Sequence, residues 1–146
     1  MAYQIDPCTT PLAIPERRWA ANANVAPTAG GDTRPTVQFT PFSSCIGICA
    51  RNNTGTQVIG IHLSVRDQNG ALFSSGDVAT VTGILQNWNY DIDTVIVLGQ
   101  TSAWEGSVPQ AYQDLLAALD DPAVYSFGDG QYGAGLNDGD VLEPTY

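Results

Sequence analysis

Lysine is absent from this chain of 146 residues, histidine occurs once, and basic residues of any kind end at Arg66. Without lysine there is no Walker-type phosphate loop, whose lysine must reach the β- and γ-phosphates. One histidine and no Cys-x-x-Cys pair argue against a zinc site, and no metal or other cofactor is expected. No apolar run approaches the length of a membrane span, and the N-terminus lacks a basic start followed by an apolar stretch. Neither a transmembrane helix nor a Sec-type signal is therefore expected. The expectation is a soluble protein, cytoplasmic or exported by a non-Sec route into a host or target cell. Cysteine is sparse and odd in number, at Cys8, Cys45 and Cys49. Cys45 and Cys49 would lie roughly 13 Å apart on one strand, too far to bridge. A disulfide through Cys8 stays open.

The charge that is present is divided along the chain. Residues 1–66 hold five arginines (Arg17, Arg18, Arg34, Arg51, Arg66) and three acids, a balance of +2; residues 67–146 hold twelve acids and no arginine, a balance of −12, which together give the net −10. Such a surface repels phosphate backbones and anionic lipid heads, so neither nucleic acid nor membrane is an expected partner. A basic protein partner is favoured. The missing lysine also suits a protein that works in a foreign cell and escapes ubiquitination, a hypothesis that an unchanged lifetime of a lysine-added variant in eukaryotic cytosol would contradict.

Residues 45–65 carry the strongest local pattern. Cys45-Ile46-Gly47-Ile48-Cys49-Ala50-Arg51 and Thr56-Gln57-Val58-Ile59-Gly60-Ile61-His62-Leu63 flank the turn cluster Asn52-Asn53-Thr54-Gly55, which predicts a β-hairpin. Side chains alternate along a strand, so Ile46, Ile48 and Ala50 share one face of the first strand and Ile59, Ile61 and Leu63 share one face of the second. Both rows must enter one core. The predicted register pairs Ile46 with Ile61, Ile48 with Ile59, Gly47 with Gly60 and Cys45 with His62, the last pair lying roughly 5 Å apart at the β-carbons on the face away from the aliphatic core. The two glycines are expected to leave space beside the thiol. A thiol next to an imidazole can act as a nucleophile with its base.

The run Phe42-Ser43-Ser44-Cys45-Ile46-Gly47-Ile48-Cys49, followed by Val58-Ile59-Gly60-Ile61-His62, resembles the core of the chemoreceptor glutamine deamidases of the CheD family. The Ser-Cys dipeptide, the hydrophobic strand after it, the Ile-Gly step and the Cys-to-His spacing carry the resemblance. The Cys-His arrangement is also similar to that of deamidase toxins of the cytotoxic necrotizing factor type. Two departures stand beside the resemblance: Ser43 and Ser44 stand where these families place a glycine, and Leu63-Ser64-Val65 replaces the Met-Leu-Pro of CheD. The resemblance implies an α/β sandwich with a mixed, largely antiparallel sheet packed by helices. It implies conversion of protein-bound glutamine to glutamate by Cys45 and His62, with Thr40 as the upstream threonine that orients His62.

The chemistry of a carboxamide adds further candidates. A tetrahedral oxyanion needs donors, for which the Ser44 and Cys45 amides are placed beside the nucleophile. Gln100 and Trp104, after the apolar strand, are candidates for the rim that meets substrate. The expected partner is a protein presenting a glutamine, and the expected state is a monomer. A cysteine peptidase or transglutaminase would use the same dyad, and a non-catalytic acidic module masking a basic partner, as an inhibitor or immunity protein does, is the alternative outside enzymes.

The remaining pattern predicts one domain over residues 1–146, with residues 1–33 an irregular proline-rich arm and 34–146 the core. A strand is expected over Arg34–Thr40, and a helix from an Asp77 cap to about Trp88 with Val78, Val81, Ile84, Leu85 and Trp88 inward. A strand buried on both faces is expected over 93–98, a helix over about 110–119, and a strand over 123–127. A Gly-rich loop then runs through Asp140 to a short strand near Val141. The Asn137-Asp138-Gly139-Asp140 cluster lacks the twelve-position pattern of a calcium loop.

Overall fold

The computed structural model describes residues 3–23, 35–136 and 141–145. These form a mixed α/β fold of nine strands and three α-helices: β1 (Asp6–Pro7), β2 (Arg18–Asn22), β3 (Thr36–Gln38), β4 (Ile46–Arg51), β5 (Val58–Leu63), α1 (Val78–Asn87), β6 (Ile96–Gly99), α2 (Thr101–Ser107), α3 (Pro109–Ala118), β7 (Ala123–Ser126), β8 (Gly133–Leu136) and β9 (Leu142–Thr145). A six-stranded sheet runs β1-β2-β5-β4-β6-β7, and a three-stranded sheet runs β3-β8-β9. The large sheet is mixed, antiparallel at its centre and parallel at its two outer pairs, β1 with β2 and β6 with β7. None of the described helices is long and apolar enough to cross a membrane.

Alternation along β4 and β5 gives the large sheet two apolar faces. On one, Ile46, Ile48, Ala50, Ile59, Ile61 and Leu63 pack under Val81 and Leu85 of α1, Trp104 of α2 and Leu115 of α3. The stripe expected on α1 is present, with Val78, Val81 and Leu85 buried and Ile84 and Trp88 packed against the same core. The opposite face carries Cys45, Cys49 and Val58 of the hairpin and is covered by Val37 of β3, Ala134 and Leu136 of β8 and Leu142 of β9. Cys45 and His62 therefore lie on the face away from the helices, between the two sheets.

The hairpin forms, but its register differs by two residues from the expected one. Ile46 pairs with Leu63, Gly47 with His62, Ile48 with Ile61 and Cys49 with Gly60. Burial of the aliphatic rows excludes a one-residue slip and is indifferent to a slip of two, which keeps every side chain on its face. The turn makes the choice. Asn52 Oδ1 accepts from the amides of Thr56 (2.9 Å) and Gln57 (3.0 Å), and Gly55 takes a left-handed φ of 70°, so the connection spans six residues between Arg51 and Val58.

Three expectations about elements are corrected. The proline-rich arm is not irregular throughout: β2 inserts beside β5 with Arg18 opposite His62, because its Trp19, Ala20 and Ala21 supply apolar contacts to both faces of the sheet. The segment after β6, read as a strand-end rim, is the short helix α2. The Gly-rich segment read as loop contains β8, whose Gly133 lies so close to β3 that a β-carbon there would collide with the Val37 carbonyl oxygen. Arg34 and the Asn137–Asp140 cluster fall outside the described residues.

Candidate functional site

Cys45 is delivered to the start of β4 by the loop 41–44, which is pinned at several points. The Phe42 amide donates to the Gly130 carbonyl (2.7 Å), Trp104 Nε1 donates to the Ser44 carbonyl (3.1 Å), and the Gln100 amide donates to the Cys45 carbonyl (2.9 Å). Ser44 itself adopts a left-handed φ of 59°. A non-glycine residue in that region costs about 1–3 kcal/mol and persists only where its surroundings determine it. The strain lies one residue before the thiol. On the neighbouring strand Gly99, at φ 123°, leaves no room for a side chain: a β-carbon would lie 2.7 Å from the Cys45 carbonyl oxygen and 2.8 Å from the Phe42 ring.

His62 projects from β5 onto the same face. Its Nδ1 lies 2.7 Å from the Ile14 carbonyl oxygen. A carbonyl only accepts, so Nδ1 carries the proton and Nε2 holds the lone pair. Nε2 is buried and has no hydrogen-bond partner among the described residues. Thr40 completes the arrangement through the same carbonyl: its amide donates to Ile14 at 3.0 Å and its hydroxyl at 3.3 Å, while Thr40 Oγ1 stands 3.5 Å from Nδ1. Thr40 thus positions His62 by way of a shared acceptor.

The third side chain at the thiol is Glu16, a residue the sequence pattern did not single out. Cys45 Sγ donates to Glu16 Oε1 at 3.3 Å, and Arg17 Nη1 holds Glu16 Oε2 at 3.4 Å and Ser64 Oγ at 3.0 Å. Arg17 is the second left-handed residue of the site, at φ 59°, and its amide donates to the His62 carbonyl at 2.7 Å. Carboxylate, thiol and imidazole ligand atoms all lie within 4.8 Å of one another. These are donor types that zinc accepts, so the trio is the one group among the described residues that could hold such an ion, given a fourth ligand and loss of the thiol proton. Sequence spacing misses the trio because Glu16 lies 29 residues before Cys45 and reaches it only through β2–β5 pairing.

Cys45 is 1 % exposed and His62 is fully buried. Desolvation, aided by the Glu16 charge, pushes the thiol up to about 12. Desolvation also lowers His62 from its ordinary 6.5. Both effects favour neutral forms, so the resting pair is thiol and imidazole, not thiolate and imidazolium. The space expected beside the thiol is filled. A β-carbon on Gly47 would lie 2.7 Å from Phe39 Cζ, and one on Gly60 would lie 3.0 Å from Ile14 Cδ1 and Val37 Cγ2. The Phe39 and Phe42 ring centroids stand 5.4 and 4.8 Å from that of His62. Of the trio, Glu16 borders a cleft of about 530 Å³, together with Ser43, Ser44, Ser64, Arg66 and Ser107.

The structure thus gathers Cys45, His62, Thr40 and Ser44. It does not bring the two rim candidates to the cleft: the Gln100 side chain donates to Asp129, and Trp104 is fully buried in the helix-side core. Trp104 matters instead as the anchor of the Ser44 carbonyl, since its indole N–H needs a partner in an apolar core. Cys49 is fully buried, and all three cysteines are free. No protein-family model matches the chain, and no curated protein matches its sequence.

Proposed function

We propose that this protein is a cysteine-dependent glutamine amidohydrolase that converts glutamine side chains of a partner protein to glutamate, within a sandwich of the CheD or cytotoxic necrotizing factor type. One observation carries the reading: the Cys45 thiol lies within 4.8 Å of a ring nitrogen of His62, whose Nδ1 proton is fixed on Ile14 and whose Nε2 has no partner among the described residues and is the base proposed here. In the proposed reaction His62 takes the thiol proton as Cys45 Sγ attacks the side-chain carbonyl. Because both groups rest neutral, proton transfer accompanies attack. The amides of Ser44 and Cys45 are the donors proposed for the oxyanion, held by the left-handed Ser44. The carbon–nitrogen bond breaks as His62 returns the proton to departing ammonia, and water then hydrolyses the thioester with His62 as base. The net charge of −10 favours a basic protein as the substrate.

A second reading has its own observation. The burial and the raised thiol at Cys45 are also what an inert structural cysteine shows, which favours a non-catalytic acidic module bound to a basic partner. That module would bind in a salt-sensitive way and ignore thiol alkylation. A peptide carrying a diazoketone analogue of glutamine separates the two. The enzyme reading expects an adduct on Cys45, none on Cys8 or Cys49, and its loss in His62→Ala. Absence of the Cys45 adduct, or equal labelling of the variant, supports the binding module instead.

A further inference from the structure

We propose that the Glu16 carboxylate occupies the carboxamide subsite of Cys45, so that the chain carries its own product-like ligand and a substrate glutamine enters by displacing it. The inference rests on the amidohydrolase reading, because a glutamate side chain is what that reaction leaves at the thiol. Four observations place Glu16 there as a built feature. Its Oε1 accepts from Cys45 Sγ at 3.3 Å, while Oε2 is held by Arg17, which is itself braced on Ser64. The turn that carries it is fixed to the catalytic strand by the Arg17 amide on the His62 carbonyl, with Arg17 held left-handed. Glu16 borders the cleft that also reaches Ser43 and Ser44. Its side chain is 43 % exposed, so it can swing outward, whereas Cys45 and His62 are fixed in the sheet interior.

The electrostatics support the same role. A carboxylate against a thiol opposes formation of the thiolate, so Glu16 works against activation while it stays in place. The two oxygens of this carboxylate also mark where the two ends of a carboxamide would lie, one beside Cys45 and the other beside Arg17.

The subsite can be read directly, since Glu16→Gln makes the chain its own substrate. Cys45 Sγ would bond to the side-chain carbonyl carbon of the introduced glutamine, and the nitrogen would leave as ammonia with the thiol proton passed through His62. Water would then displace sulfur to give glutamate and restore the thiol, a net exchange of ammonia for water. The Glu16→Gln protein is purified and followed by peptide mass beside Glu16→Gln/Cys45→Ser, and iodoacetamide labelling of Cys45 is compared in wild type and Glu16→Ala. The expected result is a gain of about one dalton at residue 16 that requires Cys45, with labelling of Cys45 about tenfold faster in Glu16→Ala. Faster labelling with the introduced amide stable shows that Glu16 shields Cys45 without lying in a carboxamide subsite, which overturns the proposal and leaves the amidohydrolase reading to the diazoketone peptide. Unchanged labelling with that amide stable overturns the subsite, and the amidohydrolase reading is then decided by the diazoketone peptide alone.

Discussion

The Ile14 carbonyl receives the Thr40 amide, the Thr40 hydroxyl and His62 Nδ1 within 3.3 Å, and this one oxygen sets the tautomer on which the proposed chemistry depends. Thr40→Val keeps the shape and the amide bond but removes the hydroxyl. Diazoketone labelling of Cys45 should slow about tenfold, with a loss of stability of about 1 kcal/mol and recovery in Thr40→Ser. A purely structural Thr40 would change the stability alone. At this scale Cys45, His62, Thr40 and Ser44 were legible, because they lie within one hairpin and the loop before it. Glu16 and the Ile14 carbonyl were not, since they come from a segment whose prolines read as irregular and whose pairing partner lies more than 40 residues away in sequence. Gln100 and Trp104 were misplaced because their segment folds as α2, which turns the indole into the core.

At the scale of elements, the hairpin shows what a periodic pattern can and cannot specify. Its apolar rows determine which face each residue takes, so the meeting of Cys45 with His62 survives a register error of two. The error moves the empty position instead: Gly47, not Cys45, stands opposite His62, and Phe39 fills the space. Gly47→Ala should therefore cost about 1–3 kcal/mol in urea unfolding, because its β-carbon meets a fully buried ring. Gly83→Ala is the opposite case. It lies within α1 with nothing within 4 Å of an added β-carbon, and should stabilise by about 0.5–1 kcal/mol. Strand β8 and helix α2 were illegible for related reasons, one being rich in glycine and the other only seven residues long.

For the whole molecule, the buried titratable groups set limits on the pH range of stability. His62 is neutral when folded and binds protons more readily when unfolded, so its contribution to stability falls as pH drops below 6.5 toward its lowered folded value. Cys45 and Cys49 are raised above their ordinary 9.0 by burial; the stability they contribute is complete below that pH and is lost as pH rises toward their folded values, which for Cys45 is about 12. Urea unfolding between pH 5 and pH 7 should show the acid loss in wild type and a shallower slope in His62→Gln. An equal slope would mean that His62 is not the buried neutral base. The two-core arrangement, with helices over one sheet face and a small sheet over the other, was legible only in its helix-covered half: strands were expected at β3 and near β9, but β8, which joins them into a second sheet, is a glycine-rich stretch of four residues that reads as loop.

In the proposed function Cys45 hydrolyses the side-chain amide of glutamine in a partner protein. The most direct measurement of that step is incubation of basic, glutamine-containing proteins with wild type and with Cys45→Ser in water enriched in heavy oxygen, read by peptide mass. Glutamines that gain about three daltons, one from exchange of nitrogen for oxygen and two from the isotope, are expected only with the intact thiol. The same peptide masses in both incubations, with no heavy oxygen entering any glutamine beyond the Cys45→Ser background, would contradict the proposed function.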